Sequence, residues 1–245
     1  MAYENRLQGR FSYACVIIMS KKEETNMQIN VNNINLFYEV KGSGRPLLMI
    51  HGNSEDHTIF EEASEVLKNH FTVYLLDSRD HGQSEKVKEL HYEDMAEDIV
   101  AFLEKKDLND VVFYGFSDGG ILGLMVARMT DRISRMIISG ANITPNGVKG
   151  SLKLLVKVLY FFTKDSKLKM ILNEPHISPE ELASIKTKTT VIVGEKDMVT
   201  MDETKIIADN IPNAKLMVLP KEGHGSYIVH KTAIADIILK ETENE

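Results

Sequence analysis

The chain has 245 residues, of which 43% are hydrophobic and 27% charged, the balance of an ordinary globular protein with length for one well-buried core. Its formal net charge of −7 argues against a nucleic-acid partner, since such proteins present a basic field. No apolar run reaches the length of a membrane-spanning helix, so the expectation is a single cytoplasmic domain without stable membrane insertion.

Residues 1–26 precede any recognisable element. The apolar run 11–19 follows Arg6 and Arg10 as a short signal-peptide core would, but Glu4 interrupts the basic region. The run ends in Lys21-Lys22-Glu23-Glu24 and not in a small-residue cleavage site, which argues against secretion. Those four residues must be written AAR-AAR-GAR-GAR, which can contain AAGGAGGA, a strong bacterial ribosome-binding sequence, shortly before Met27. The expectation is that 1–26 is a disordered leader or a misassigned start, that Met27 begins the biological chain, and that the source is bacterial. The single cysteine, Cys15, lies in that leader, so residues 27–245 offer no thiol for a disulfide or a metal.

From Met27 the periodicity predicts two antiparallel strands, 27–32 and 34–40, around a polar turn, and then a buried strand over 47–50. A helix over 60–70 places Phe60, Ala63, Val66 and Leu67 on one face. A strand over 71–76 and a helix over 95–108, with Met95, Ile99, Phe102 and Leu103 on a common face, lead to the apolar run 111–114. A helix-like segment at 120–128 and a strand at 133–139 come next, and from 189 two further strands alternate with helices. Such alternation implies a mostly parallel sheet with helices on both faces.

The section between about 142 and 177 departs from that rhythm. Leu152, Leu155, Val156 and Leu159 fall at helical spacing, with Tyr160, Phe161 and Phe162 beyond them and five lysines between or after. This pattern predicts an amphipathic helix over the core with solvated lysines, some of whose apolar side chains line a route to the site. A membrane-surface role for its basic face is the weaker alternative. Ser178-Pro179-Glu180-Glu181 marks the start of a further helix, with Ser178 as its N-cap and Pro179 at its first position.

Chemistry concentrates at Gly115-Phe116-Ser117-Asp118-Gly119, between an apolar strand and a helix. A serine at the apex of a sharp strand-to-helix turn adopts positive φ, and glycines on either side let strand and helix pass close to it. A serine hydroxyl is a weak nucleophile that needs an imidazole base, itself oriented by a carboxylate. Asp197 follows the predicted strand 189–194, and His224 sits between glycines after the strand 215–220. The order Ser117, Asp197, His224 is the order this elbow uses.

With these motifs the chain resembles the α/β-hydrolase superfamily, in its serine esterase and lipase-like branch, over nearly everything from Met27 onward. Leu47 to Asn53 resembles the third strand and its His-Gly oxyanion turn, and Asp77 to Ser84 resembles the D-x-R-x-x-G-x-S turn after the fourth. The resemblance implies an α/β-hydrolase fold over 27–245, a short helical cap at about 142–177, and structural roles for His51 and His81. It implies that the backbone N–H groups of Asn53 and Asp118 form the oxyanion hole, with the Asp118 side chain a helix N-terminal charge. Glu195 is the nearest rival to Asp197 as the acid; no carboxylate follows the strand ending at Ser139-Gly140-Ala141-Asn142, where some relatives carry theirs. The implied activity is two-step acyl transfer on a small-molecule ester of short to medium apolar acyl length, with no cofactor and no metal. Serine at 117 argues against the branches whose nucleophile is a carboxylate. Amide, carbon–carbon or peroxide-using chemistry and a ligand-sensing or partner-binding role with low activity stay open.

Overall fold

The computed structural model describes residues 25–243; the expectations for the leader fall almost wholly outside them. The antiparallel pair β1 (Thr25–Val31) and β2 (Ile34–Gly42) opens the fold, two residues ahead of Met27. Asn32 and Asn33 join the strands, both with positive φ, the geometry a two-residue hairpin loop demands and asparagine tolerates.

Six further strands follow: β3 (Arg45–Ile50), β4 (Phe71–Leu76), β5 (Val111–Phe116), β6 (Ile133–Ser139), β7 (Lys188–Gly194) and β8 (Ala214–Leu219). Their order across one sheet is β1-β2-β4-β3-β5-β6-β7-β8, antiparallel only where β2 meets β1 and β4. This is the α/β-hydrolase fold. All six residues of β5 are buried, as a central strand covered on both faces requires.

The pleat sorts the strand side chains into two cores. Leu48, Ile50 and Phe113 pack with α2 (Tyr92–Lys105) and α3 (Asp118–Met129). Leu47, Met49, Val112 and Tyr114 pack with α1 (Glu61–Leu67) and the helix α8 (Ala233–Thr242) near the C-terminus. The predicted face Met95, Ile99, Phe102 and Leu103 is buried throughout. The helix predicted over 60–70 is shorter, with a 3₁₀ turn at His57–Phe60 leading into α1. Asp56 accepts from Thr58 N and caps the start of that turn, a local start signal that apolar periodicity does not register.

At the end of the sheet where β6, β7 and β8 begin, Arg135 and Glu241 form a buried pair. Glu241 also accepts from Thr190 Oγ1 and Lys215 Nζ, which ties α8 to three strands. At the other end the sheet order switches direction between β3 and β5, so the loops leaving their carboxyl ends diverge and leave a crevice.

Over that crevice lie α4 (Gly150–Thr163) and α5 (Ser166–Asn173), while the short α6 (Pro179–Ala183) that follows them is tied through Glu181 to Arg128 in the last turn of α3. Ser178 and Glu181 complete a capping box with Pro179 at the first helical position, as the sequence predicted. α4 departs from its expected packing: Val156 is its one buried residue, while Leu155 and Leu159 face outward. The helix is apolar on nearly every side, so its periodicity cannot say which side meets the protein. The helix α7 (Met201–Asn210), between β7 and β8, completes the element set.

Candidate active site

Ser117 joins β5 to α3 with φ 53° and ψ −113°, a strained backbone for a residue with a side chain. Close approach explains the flanking glycines. A Cβ on Gly115 would lie 2.1 Å from the Gly119 carbonyl oxygen, and one on Gly119 would lie 2.1 Å from that of Ile50. The turn is held by Ser117 N donating to Ser139 O at 2.8 Å and Gly119 N to His51 O at 3.1 Å.

The structure brings Ser117, His224 and Asp197 together from three loops at the carboxyl ends of β5, β8 and β7. Ser117 Oγ lies 3.0 Å from His224 Nε2, and His224 Nδ1 lies 2.7 Å from Asp197 Oδ1. With the Nδ1 proton donated to the carboxylate, Nε2 is free to accept from the serine hydroxyl. Burial pushes the Asp197 carboxyl up, but the hydrogen bond and charge of His224 and the N–H of Val199 outweigh it and leave it below its ordinary range. Glu195 takes no part, since its Oε2 accepts from Lys221 N on the exposed side of the loop.

The imidazole has a prepared seat. Gly140 has φ +63°, and a Cβ there would fall 2.7 Å from His224 Cε1 and 2.8 Å from Nδ1. The loop after β6, which carries no carboxylate, thus provides the hollow into which the ring fits. Phe116 closes another side at 4.9 Å between ring centroids.

Asn53 and Asp118 both border the cavity above Ser117. Asp118 begins α3, so the helix itself leaves its backbone N–H without an intrahelical partner. Its side chain is an acidic group in the first turn of α3, as expected, and is also a buried clip: Oδ2 accepts from Asn53 Nδ2 at 3.0 Å and Oδ1 from Tyr92 Oη at 2.7 Å. Burial raises its pKa to about 6 against the pull of those two donors. Tyr92 and Glu55 carried no sequence signal: Tyr92 acts on a residue 26 positions away, and Glu55 acts within a local turn that apolar periodicity does not register. Glu55 Oε2 accepts from Gly52 N at 3.0 Å, and burial raises its pKa.

The turn before Asn53 is braced from below. His51 meets Gly52 O through Nδ1 at 2.8 Å and accepts from Ser78 N through Nε2 at 3.1 Å, so its ring is the neutral Nδ1–H tautomer. Burial lowers its pKa. His81 lies 5.1 Å from it, ring to ring, and burial with the neighbouring His51 lowers its pKa to about 4. Arg79 fixes this second turn to α2 through Asp98 at 2.6 and 2.7 Å.

The cavity has a volume of about 290 Å³. Phe116, Leu152, Val156, Ile171, Leu172 and Met198 make most of its wall apolar, while Tyr92 and Lys153 add polar groups. The cap is fastened near the site, with Lys149 N donating to Met198 O, Thr200 N to Gly147 O and Tyr92 N to Glu174. Among the described residues, Asp56, His57 and Asp77 bring metal-type ligand atoms within 4.8 Å of one another. Asp77 Oδ1 already accepts from the backbone and ring nitrogens of His57, and Oδ2 from Gln83 N, so this group serves as an internal brace. No helix among the described residues is long and apolar enough to cross a membrane.

A family model of the alpha/beta hydrolase fold matches residues 45–162. The AB hydrolase superfamily protein YisY of Bacillus subtilis is 25% identical over 253 residues, covering 84% of this chain and 94% of that protein. A pimeloyl-[acyl-carrier protein] methyl ester esterase of Aliivibrio fischeri is 25% identical over 133 residues, covering 54% of this chain and 50% of that protein. Among solved structures, the esterase EaEST from Exiguobacterium antarcticum superposes with a TM-score of 0.78 at 21% identity, over 90% of this chain and all of that one.

Proposed function

We propose that the chain, which has the α/β-hydrolase fold and matches a family model of that fold over residues 45–162, is a serine hydrolase acting on carboxylic esters of short to medium apolar acyl length. The observation that carries the reading is the hydrogen-bonded series from Ser117 Oγ through His224 to buried Asp197 at the floor of a largely apolar cavity. The esterase relatives support ester chemistry by analogy.

In this mechanism Ser117 Oγ attacks the ester carbonyl carbon while its proton passes to His224 Nε2. The carbonyl π electrons move onto oxygen, and the N–H groups of Asn53 and Asp118 stabilise the resulting oxyanion. Such donors are worth several kcal/mol each, roughly 3 by the usual measure. Collapse breaks the bond to the leaving alkoxide, which takes the proton from His224 and departs as alcohol. Water then attacks the acyl-enzyme, giving a proton to His224, and the second collapse returns that proton to Ser117 Oγ and releases the acid. Asp197 keeps the imidazole in the competent tautomer and stabilises its charged form. Asp118 acts as a positioning residue, because its side chain joins the two segments whose N–H groups face the oxyanion.

A cavity of about 290 Å³ lies at the small end of ligand pockets and suits a short acyl chain. Comparing acetyl, butyryl, octanoyl and palmitoyl p-nitrophenyl esters tests the reading. Turnover should peak at the shorter chains and vanish in Ser117→Ala. A strong preference for palmitoyl would refute the size assignment, and turnover unchanged in Ser117→Ala would refute the mechanism.

A further inference from the structure

We propose that the outward face of α4 is a docking surface for anionic lipid bilayers, on which the cap rests with the helix axis parallel to the membrane plane. α4 has two unlike sides. Leu152, Lys153 and Val156 border the cavity, while Leu154, Leu155, Val158, Leu159, Phe161 and Phe162 face solvent. These six are half of the exposed large hydrophobic side chains among the described residues, with Leu154, Phe161 and Phe162 exposed by 64, 67 and 77%. A surface helix normally turns such side chains inward, and a contiguous apolar patch on a folded surface marks an interaction site.

Charge identifies the occupant. Between residues 147 and 173 the sequence has six lysines and one aspartate, in a chain of formal net charge −7; Lys167 and Lys169 pair with Asp80 and Glu89, and the other four lie within α4 or at its two caps. Lys149 and Lys157 are exposed, and the Lys164 ammonium sits 4.9 Å from the centre of the Phe161 ring and 5.2 Å from that of Tyr160. Asp165 is occupied as the N-cap of α5. Leucine and phenylalanine on one side, with lysines at the margin and no acidic residue within the helix, form the pattern of an interfacial helix. Its apolar face enters the headgroup boundary while its amines meet lipid phosphates. A second copy of this chain is the poorer occupant. A twofold contact through α4 would set lysine against lysine with no carboxylate on the helix to pair them, and like charges in an interface oppose association.

The proposal goes beyond the hydrolase reading and does not depend on the chemistry at Ser117. Where both hold, the helix that roofs the cavity also rests on the bilayer, so an apolar substrate reaches the cavity from the lipid side.

Co-sedimentation of the full chain with large unilamellar vesicles tests it. Vesicles of phosphatidylcholine and phosphatidylglycerol in equal parts should bind the protein at least about tenfold more strongly than phosphatidylcholine alone, and about 0.5 M salt should abolish that preference. The double variant Phe161→Ser/Phe162→Ser should lose about tenfold or more in partitioning, with melting temperature and turnover of a short soluble ester unchanged. Leu154→Gln and Lys157→Glu, each exposed and outside the cavity wall, should lower binding separately and keep the test decisive if the double variant is unstable. Equal binding of wild type and all variants would overturn the proposal. So would indifference to vesicles together with a wild-type dimer, on size-exclusion chromatography, that Phe161→Ser/Phe162→Ser converts to monomer.

Discussion

Replacing Gly140 by alanine tests whether the seat of His224 matters to catalysis. A Cβ at this position would fall 2.7 and 2.8 Å from two imidazole atoms, where ordinary contact begins at 3.4 Å. The ring must therefore retreat by roughly 0.6 Å or more, stretching both its 3.0 Å contact with Ser117 and its 2.7 Å contact with Asp197. A misplacement approaching 1 Å can cost on the order of 10²-fold in rate. The φ of +63° adds about 1–2 kcal/mol of backbone strain, which at this chain length corresponds to roughly 2–8 °C in melting temperature. Steady-state turnover of p-nitrophenyl butyrate, beside thermal denaturation, measures both effects. Gly150→Ala is the control, since nothing lies within 4 Å of its Cβ, and should leave kcat unchanged. If Gly140→Ala lowers the melting temperature but changes kcat by less than about threefold, His224 does not do its work in the observed position.

Asp197→Asn should lower kcat by about 10³–10⁴ with the fold intact, whereas Glu195→Gln should be mild; the reverse ranking would show that the acid has been misassigned. Asp118→Ala should reduce kcat by roughly 10–10² with little change in KM, because it loosens the oxyanion donors without removing them. A rise in KM alone would instead mean that this carboxyl contacts bound substrate. His81 has a folded pKa of about 4 against 6.5 when unfolded. The unfolded chain therefore binds the extra proton first, and stability should fall by up to about 3 kcal/mol as pH drops from 6.5 to 4. His51, also lowered, acts in the same direction. Denaturant titrations across that range should show a shallower loss for His81→Asn, and parallel curves would contradict the assignment.

Local and two-residue signals carried well from sequence to structure, and long-range ones did not. The glycines at 115 and 119 announced a close strand–helix passage, and the backbone contacts they relieve are there. Ser178, Pro179 and Glu181 announced a helix start that the capping box realises. The turns bearing Asp197 and His224 were legible because each follows a β-branched or apolar strand. The clip from Asn53 through Asp118 to Tyr92 spans 65 and 26 residues, and no periodicity encodes such pairings. The brace formed by Arg135 and Glu241, 106 residues apart, was hidden for the same reason. α4 was legible as a helix but not in its orientation, because a segment apolar on nearly every side has no single face for the pattern to select.

Intact-mass analysis of the full chain after exposure to a fluorophosphonate tests the central assignment most directly, since this reagent phosphonylates a serine only when a neighbouring base activates it. The expected result is one adduct per chain, located at Ser117 by peptide mapping. The adduct should be absent in Ser117→Ala and should form orders of magnitude more slowly in His224→Ala. An adduct that persists in Ser117→Ala, or wild-type protein that stays unlabelled while folded, would contradict the assignment of Ser117 as nucleophile.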